Sequence, residues 1–303
     1  MQRLVPFVVA LALVLGGTHL ALACSSFAVY GKNGPFFGMN VDMPTRAEAA
    51  ESAVGFFEHQ HNRLALNRRS DVAVFRYDYI FFYTDRGVFG CTQYAQPTFT
   101  MNPSDKKPVD WSHAQVSAID FERAADVVVF LEERRLWADG EADFHWLLAD
   151  TQGNAFIIEP GADDNHILPG EGGFTVMTNF FHHYLEDGFA QEFAENYPGA
   201  DLLDLLDHDG RYRRGAALIR SSLDHFDHLK GLEVLKAMSS PITKVSVVID
   251  AGEQKAYLAL FRDFSRIWEV DLEAGTIATY MGFAQERCEE LRNYTVPRLA
   301  MWE

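Results

Sequence analysis

The chain has 303 residues, 48% of them hydrophobic and 13% aromatic with 24 phenylalanines, a composition that excludes a disordered protein. Its formal net charge of −17 opposes binding to nucleic acid or to anionic lipid. After residue 24 no apolar run approaches the roughly 20 residues that a membrane helix needs, so no bilayer span is expected there.

In chain order, the first element reads as a leader. Arg3 precedes an apolar run from Leu4 to Leu15, then Gly16-Gly17 and the small-x-small end Ala21-Leu22-Ala23, the layout of a secretory signal removed as residues 1–23. The expectation is a secreted or periplasmic protein with a single domain over 24–303. The cut would make Cys24 the first residue, carrying both a thiol (pKa about 8.5) and an α-amine (about 7.7–8), so a base close to neutrality is built into the nucleophile. A cysteine after a leader has a second meaning, the lipid-anchored first residue of a lipoprotein, in which both groups are blocked. Ala21 stands where a lipid-modification signal most often has leucine, and Ala-x-Ala suits ordinary cleavage. Of the three cysteines, Cys91 and Cys288 either pair, leaving Cys24 as the odd thiol, or stay unpaired.

Ser25 to Tyr30, the turn Gly31-Lys32-Asn33-Gly34 and a strand through Phe36-Phe37 to Asp42 predict a hairpin that starts at Cys24 and returns Asn40 and Asp42 toward it. Residues 43 to 70 are polar and read as loop. Val72 to Tyr83, then Asp85-Arg86-Gly87 and an apolar run to Tyr94, predict a second hairpin, and 95 to 115 reads as loop. Apolar spacing predicts a helix from about Phe121 to Trp137, ending at Gly140. A third hairpin spans Phe144 to Glu159 around Asp150-Thr151-Gln152-Gly153, and Phe174 to Met177 is a strand. Tyr184 to Asn196, Arg211 to Leu223 and Leu232 to Met238 read as helices. Lys244 to Ile249, Lys255 to Phe261 and Ser265 to Val270 read as strands. Strands at both ends with helices between predict an α+β layered fold.

Cys24-Ser25-Ser26-Phe27 followed by Gly38-Met39-Asn40-Val41-Asp42 resembles the linear amide C–N hydrolases, which include choloylglycine hydrolases and penicillin V acylases, with acid ceramidase as a relative. Phe144-His145-Trp146-Leu147-Leu148-Ala149-Asp150, Gly153 and Ile157-Ile158-Glu159 look like the family's paired strands before a glutamate. Val176-Met177-Thr178-Asn179 matches the place of an active-site asparagine, and Arg211-Tyr212-Arg213-Arg214 is similar to an arginine-aromatic-x-arginine segment. The resemblance implies a four-layer αββα N-terminal nucleophile hydrolase sandwich. In it Cys24 would attack a linear amide and form a thioester. Asp42 would orient the α-amine, which takes the thiol proton, and Asn179 would donate to the oxyanion. Arg211 would fix this set or bind a substrate carboxylate. Gln93 is the candidate for a second oxyanion donor, with Thr92 equally near. Met39 departs from the pattern, which has arginine there: methionine makes the pocket more apolar, and either the substrate preference differs, or a different cation stands in, or activity is reduced.

No cofactor is expected. His182-His183 and His225-Phe226-Asp227-His228 lack a zinc-ligand frame and read as surface or loop histidines, and His145 as a satisfied core residue. Asn293-Tyr294-Thr295 is a glycosylation sequon, meaningful only in a eukaryotic secretory route. The expected partner is a small N-acyl amide with an apolar acyl group, and a homo-oligomer is compatible with relatives. Acyl transfer to an amine through the same thioester, or an inactive binding protein on this scaffold, are the rival functions.

Overall fold

The protein is described from a computed structural model covering residues 24–42, 55–60, 63–68, 78–136, 141–291 and 294–295. The expected leader 1–23, Gly140 and Asn293 lie outside the described residues. The chain opens with β1 (Ser25–Gly31) and β2 (Gly34–Asp42), then β3 (Gly55–Gln60), β4 (Arg63–Arg68), β5 (Asp78–Tyr83), β6 (Val88–Thr100) and β7 (Lys107–Val109). Helices α1 (Trp111–Ile119) and α2 (Asp126–Glu132) precede β8 (Arg134–Leu136), β9 (Glu141–Asp150), β10 (Ala155–Pro160), β11 (Asn165–Pro169) and β12 (Phe174–Met177). A helical stretch follows: α3 (Asp187–Asn196), α4 (Leu202–Leu206), α5 (Arg211–Ser222) and α6 (His228–Met238). The chain then returns to strands in β13 (Thr243–Asp250), β14 (Lys255–Leu260), β15 (Ile267–Asp271), β16 (Thr276–Met281), β17 (Cys288–Glu290) and β18 (Tyr294–Thr295).

Two eight-stranded antiparallel sheets carry the fold, in spatial order β12-β1-β2-β13-β14-β15-β16-β17 and β11-β10-β9-β6-β5-β4-β3-β18. Strand alternation divides their side chains between layers. From β2, Phe37, Met39 and Val41 join Leu147 and Ala149 of β9 and Val245 and Val247 of β13 in the core between the sheets. Phe27, Val29, Phe36 and Val248 point the other way, onto Ile219 of α5 and Leu232 and Leu235 of α6. On the outer face of the second sheet Val88, Trp146, Leu148 and Ile158 meet Ala114 and Ala118 of α1 and Val127 and Leu131 of α2. The layers are therefore helix, sheet, sheet, helix.

The first hairpin pairs Gly31 with Gly34 and Ser25 with Asn40, so its register returns Asp42 past Cys24 as expected. Gly38 sits opposite Phe27, and the ring lies on it so closely that a Cβ there would meet the ring tip at 2.4 Å. The second sheet repeats the arrangement, with Gly90 opposite Phe82 and the same 2.4 Å approach.

Several sequence expectations are corrected. Residues 43 to 70 are not all loop, since β3 and β4 form a hairpin within them, and 95 to 115 includes the end of β6, β7 and the start of α1. The helix predicted from Phe121 to Trp137 is the shorter α2, because the chain turns at Glu133 into β8 and pairs in parallel with β7. Cys91 and Cys288 do not pair: Cys91 is buried between the sheets, whereas Cys288 is exposed on β17.

Candidate active site

Cys24 stands immediately before β1, buried, at the end of the core between the sheets. Asp42 ends β2 beside it. The Asp42 carboxylate accepts hydrogen bonds from Ser240 Oγ (2.6 Å) and Thr243 Oγ1 (2.5 Å), both supplied where the chain leaves α6 and enters β13. Burial pushes the Asp42 carboxyl above the usual range, while those two hydroxyls and Arg211 work against the rise. The Cys24 thiol is pushed up to about 12, first by burial and next by the Asp42 charge, against a hydrogen bond from the Asp42 backbone and the Arg211 charge. In the chain as it stands, residue 24 is joined to residue 23 by an amide, and such a thiol is fully protonated at neutral pH.

Arg211, the first residue of α5, gathers the rest. Gly210, the residue before the helix, has φ +69°, a left-handed conformation that turns the chain into α5. Arg211 Nη1 donates to the Cys24 carbonyl (3.1 Å) and lies 4.0 Å from Asp42 Oδ2, while Nη2 donates to Asn179 Oδ1 (2.8 Å). Its Nε donates to Asp209 Oδ2 (2.5 Å). A planar fork with five N–H donors is the group suited to hold these acceptors together. Asn179 follows β12; its Nδ2 donates to the Tyr94 carbonyl (2.7 Å), and its own carbonyl accepts from Gln96 N (3.0 Å).

Gln93 reaches the same point from the second sheet. With its amide turned so that both ends are satisfied, Nε2 donates to the Cys24 carbonyl (3.2 Å), and the oxygen accepts from Ser26 N (3.1 Å) and Ser26 Oγ (2.6 Å). The Cys24 carbonyl thus takes donors from Arg211 and Gln93 together. Thr92 is excluded, because the alternation of β6 turns it toward α1, where Gln115 Nε2 donates to its hydroxyl.

The structure therefore brings Cys24, Asp42, Gln93, Asn179 and Arg211 into one place. Sequence reasoning missed Asp209, Ser240, Thr243 and Ser26. Asp209, two residues before Arg211, had a local signal in the Asp-Gly-Arg turn; the hydroxyls of Ser240 and Thr243 are 198 and 201 residues from Asp42 and had none. Met39 is wholly buried in the core between the sheets, cross-strand from Ser26 and Val247.

The histidines depart from expectation. His182 is buried and stacked on Phe180 (4.5 Å between ring centroids), so it is not a surface residue. His145 is buried and bonded through Nδ1 to Glu159, but its Nε2 lacks a partner, so it is only half satisfied. Among the described residues no group of three or more His, Cys, Asp and Glu side chains is placed to hold a metal ion.

Stacked antiparallel sheets between helical layers make a four-layer αββα sandwich, the fold that the sequence resemblance implied. Compared by sequence alone, the chain matches no family profile and no curated protein. Compared by structure, it is similar to the conjugated bile acid hydrolase from Clostridium perfringens (TM-score 0.57, 14% identity, 85% of this chain and 97% of that one). It is similar also to penicillin V acylase from Agrobacterium tumefaciens (TM-score 0.56, 13% identity, 84% of this chain and 90% of that one). At these identities the likeness is one of fold.

Proposed function

We propose that this protein is an amidohydrolase that cleaves a linear amide between an acyl group and an amine through Cys24. The observation that carries the reading is the convergence of Arg211 and Gln93 on the Cys24 carbonyl, with Asp42 alongside, at the head of β1 in a fold of this class. Two similar folds are a conjugated bile acid hydrolase and a penicillin V acylase by name, which agrees with that chemistry.

The chemistry begins with release of residues 1–23, which we place at export. While residue 24 is amide-linked its thiol is inert; a free α-amine of pKa about 7.7–8 supplies the missing base. Asp42 orients the amine, the amine takes the thiol proton, and the thiolate attacks the substrate carbonyl carbon. The oxyanion is met by the amide of Asn179, whose Nδ2 also donates to the Tyr94 carbonyl. Gln93, already committed to Cys24 and Ser26, positions the nucleophile and flanks the same carbonyl. The α-ammonium returns its proton to the departing amine, leaving a thioester. Water, deprotonated by the amine, then attacks the thioester and releases the carboxylic acid and the thiol. Met39, buried where the resemblance leads one to expect an arginine, leaves the ground beside Cys24 apolar and favours an apolar acyl group.

The test is the intact mass and N-terminal sequence of the exported protein, followed by turnover of bile-salt conjugates, penicillin V, N-acyl amino acids and acyl homoserine lactones. An unmodified N-terminal Cys24, turnover of at least one of these, its loss in Cys24→Ala and its loss on acetylating the α-amine are expected. A diacylglycerol mass on Cys24, or turnover that survives Cys24→Ala, would sink the reading. Product partition with an added amine acceptor separates hydrolysis from acyl transfer.

A further inference from the structure

Strand register lays a row of polar side chains across the second sheet, starting at the candidate site. Gln93 of β6 pairs with His145 of β9, and Glu159 of β10 pairs with His166 of β11. His145 Nδ1 closes the row at 3.1 Å from Glu159 Oε1. The loop that follows β12 and carries Asn179 packs against this row. Glu159 accepts four hydrogen bonds there: from His145 Nδ1, from His183 Nδ1 (2.8 Å), and from the backbone N–H groups of His182 (2.7 Å) and His183 (2.9 Å).

A fully buried carboxylate is costly unless its lone pairs are met, and here each oxygen receives two donors. Burial pushes Glu159 up, but the bonds from His145 and His183 outweigh it and hold the group well below the usual carboxylate range. The loop is thus tied down twice, at Asn179 by Gln96 and Tyr94, and three residues on by Glu159. His182 spans the remaining gap, its ring edge-on to Tyr212 (5.4 Å), the neighbour of Arg211 on α5.

Resting on the amidohydrolase reading above, we propose that Glu159 is a positioning residue: through the backbone N–H groups of His182 and His183 it fixes the loop that aims the Asn179 amide at the reacting carbonyl, without touching substrate itself. A misplacement of about 1 Å in such a group costs about 100-fold in rate.

Glu159→Gln is the informative change, since it keeps the volume but offers one accepting oxygen to four donors. In the processed protein, with a substrate the native enzyme turns over, kcat is expected to fall about 10- to 100-fold with KM within about twofold. Hydrogen exchange at His182 and His183 is expected to quicken. A variant that loses thermal stability but keeps native kcat where it is fully folded would overturn the proposal and leave Glu159 a packing residue. Should Glu159→Gln fail to fold, Glu159→Asp decides, since it keeps the charge but shortens the reach to the backbone N–H groups of His182 and His183. Loss of kcat with KM little changed in the folded Glu159→Asp protein supports positioning, whereas native kcat together with quickened exchange at His182 and His183 overturns it. A native protein with a free N-terminal Cys24 and no turnover of any N-acyl amide defeats the amidohydrolase reading itself, and the proposal with it.

Discussion

Asp42 is the site residue whose chemistry separates most cleanly from its packing. Its two partners are hydroxyls, which donate or accept by rotation, so Asp42→Asn can keep both contacts with Ser240 and Thr243. The substitution removes the charge that would orient an α-ammonium. We expect kcat to fall by about 10² or more with the melting temperature nearly unchanged, on the scale of lost acid–base assistance. A variant with near-native kcat would take Asp42 out of the mechanism. The proximity of Asp42 to Cys24 was legible in the sequence because a hairpin of that length has one register. Gln93 against Thr92 was not legible: both faces of β6 are buried, by Phe89 and Cys91 inward and Val88 outward, so alternating polarity could not tell the faces apart. Asn179 and Arg211 had no local signal at all, and only the order of motifs along the chain pointed to them.

At the scale of elements, the glycines of β2 and β6 are set by rings across the strand. Phe27 is fully buried and packs edge-on to Phe226 (5.8 Å), so it cannot swing away from an added methyl at residue 38. Gly38→Ala is expected to destabilise the protein by about 1–3 kcal/mol, the usual cost of overpacking. Phe27→Leu should relieve part of that cost, so the double variant is less destabilised than the summed singles. Denaturant unfolding of the four proteins checks this, and strict additivity would mean that ring and glycine do not compete for space. The strands the sequence hid, β3 and β4, carry their apolar residues side by side, Phe56-Phe57 and Leu64-Ala65-Leu66, with polar residues grouped at the ends, and so gave no alternating signal. The helices α5 and α6 were legible because one face of each is apolar and buried against the first sheet.

For the molecule as a whole, acid should act through the buried His182. Burial pushes His182 down to about 3, with the positive influence of Glu159 opposed by His145 and His183. An unfolded chain binds this proton from about pH 6.5 downward, whereas the folded chain refuses it until about 3, so stability falls as pH drops through that window. Glu159 adds in the same direction at lower pH, because a carboxylate held below its usual range loses its stabilising bonds when it protonates. Denaturation midpoints between pH 7 and 5 should therefore decline, and His182→Phe, which can keep the stack on Phe180, should flatten the decline. Parallel slopes in the two proteins would clear His182 of the effect.

The guanidinium of Arg211 grips a carbonyl 187 positions earlier in the chain and an amide 32 positions earlier, on separate elements of the first sheet and its flanking loop. Such a knot cannot be tied locally, nor before both sheets have found each other, since Gln93 arrives on the opposite one. On the amidohydrolase reading proposed above, reactivity is thereby postponed to the end of folding: a chain folded only in part carries its cysteine without a machine around it.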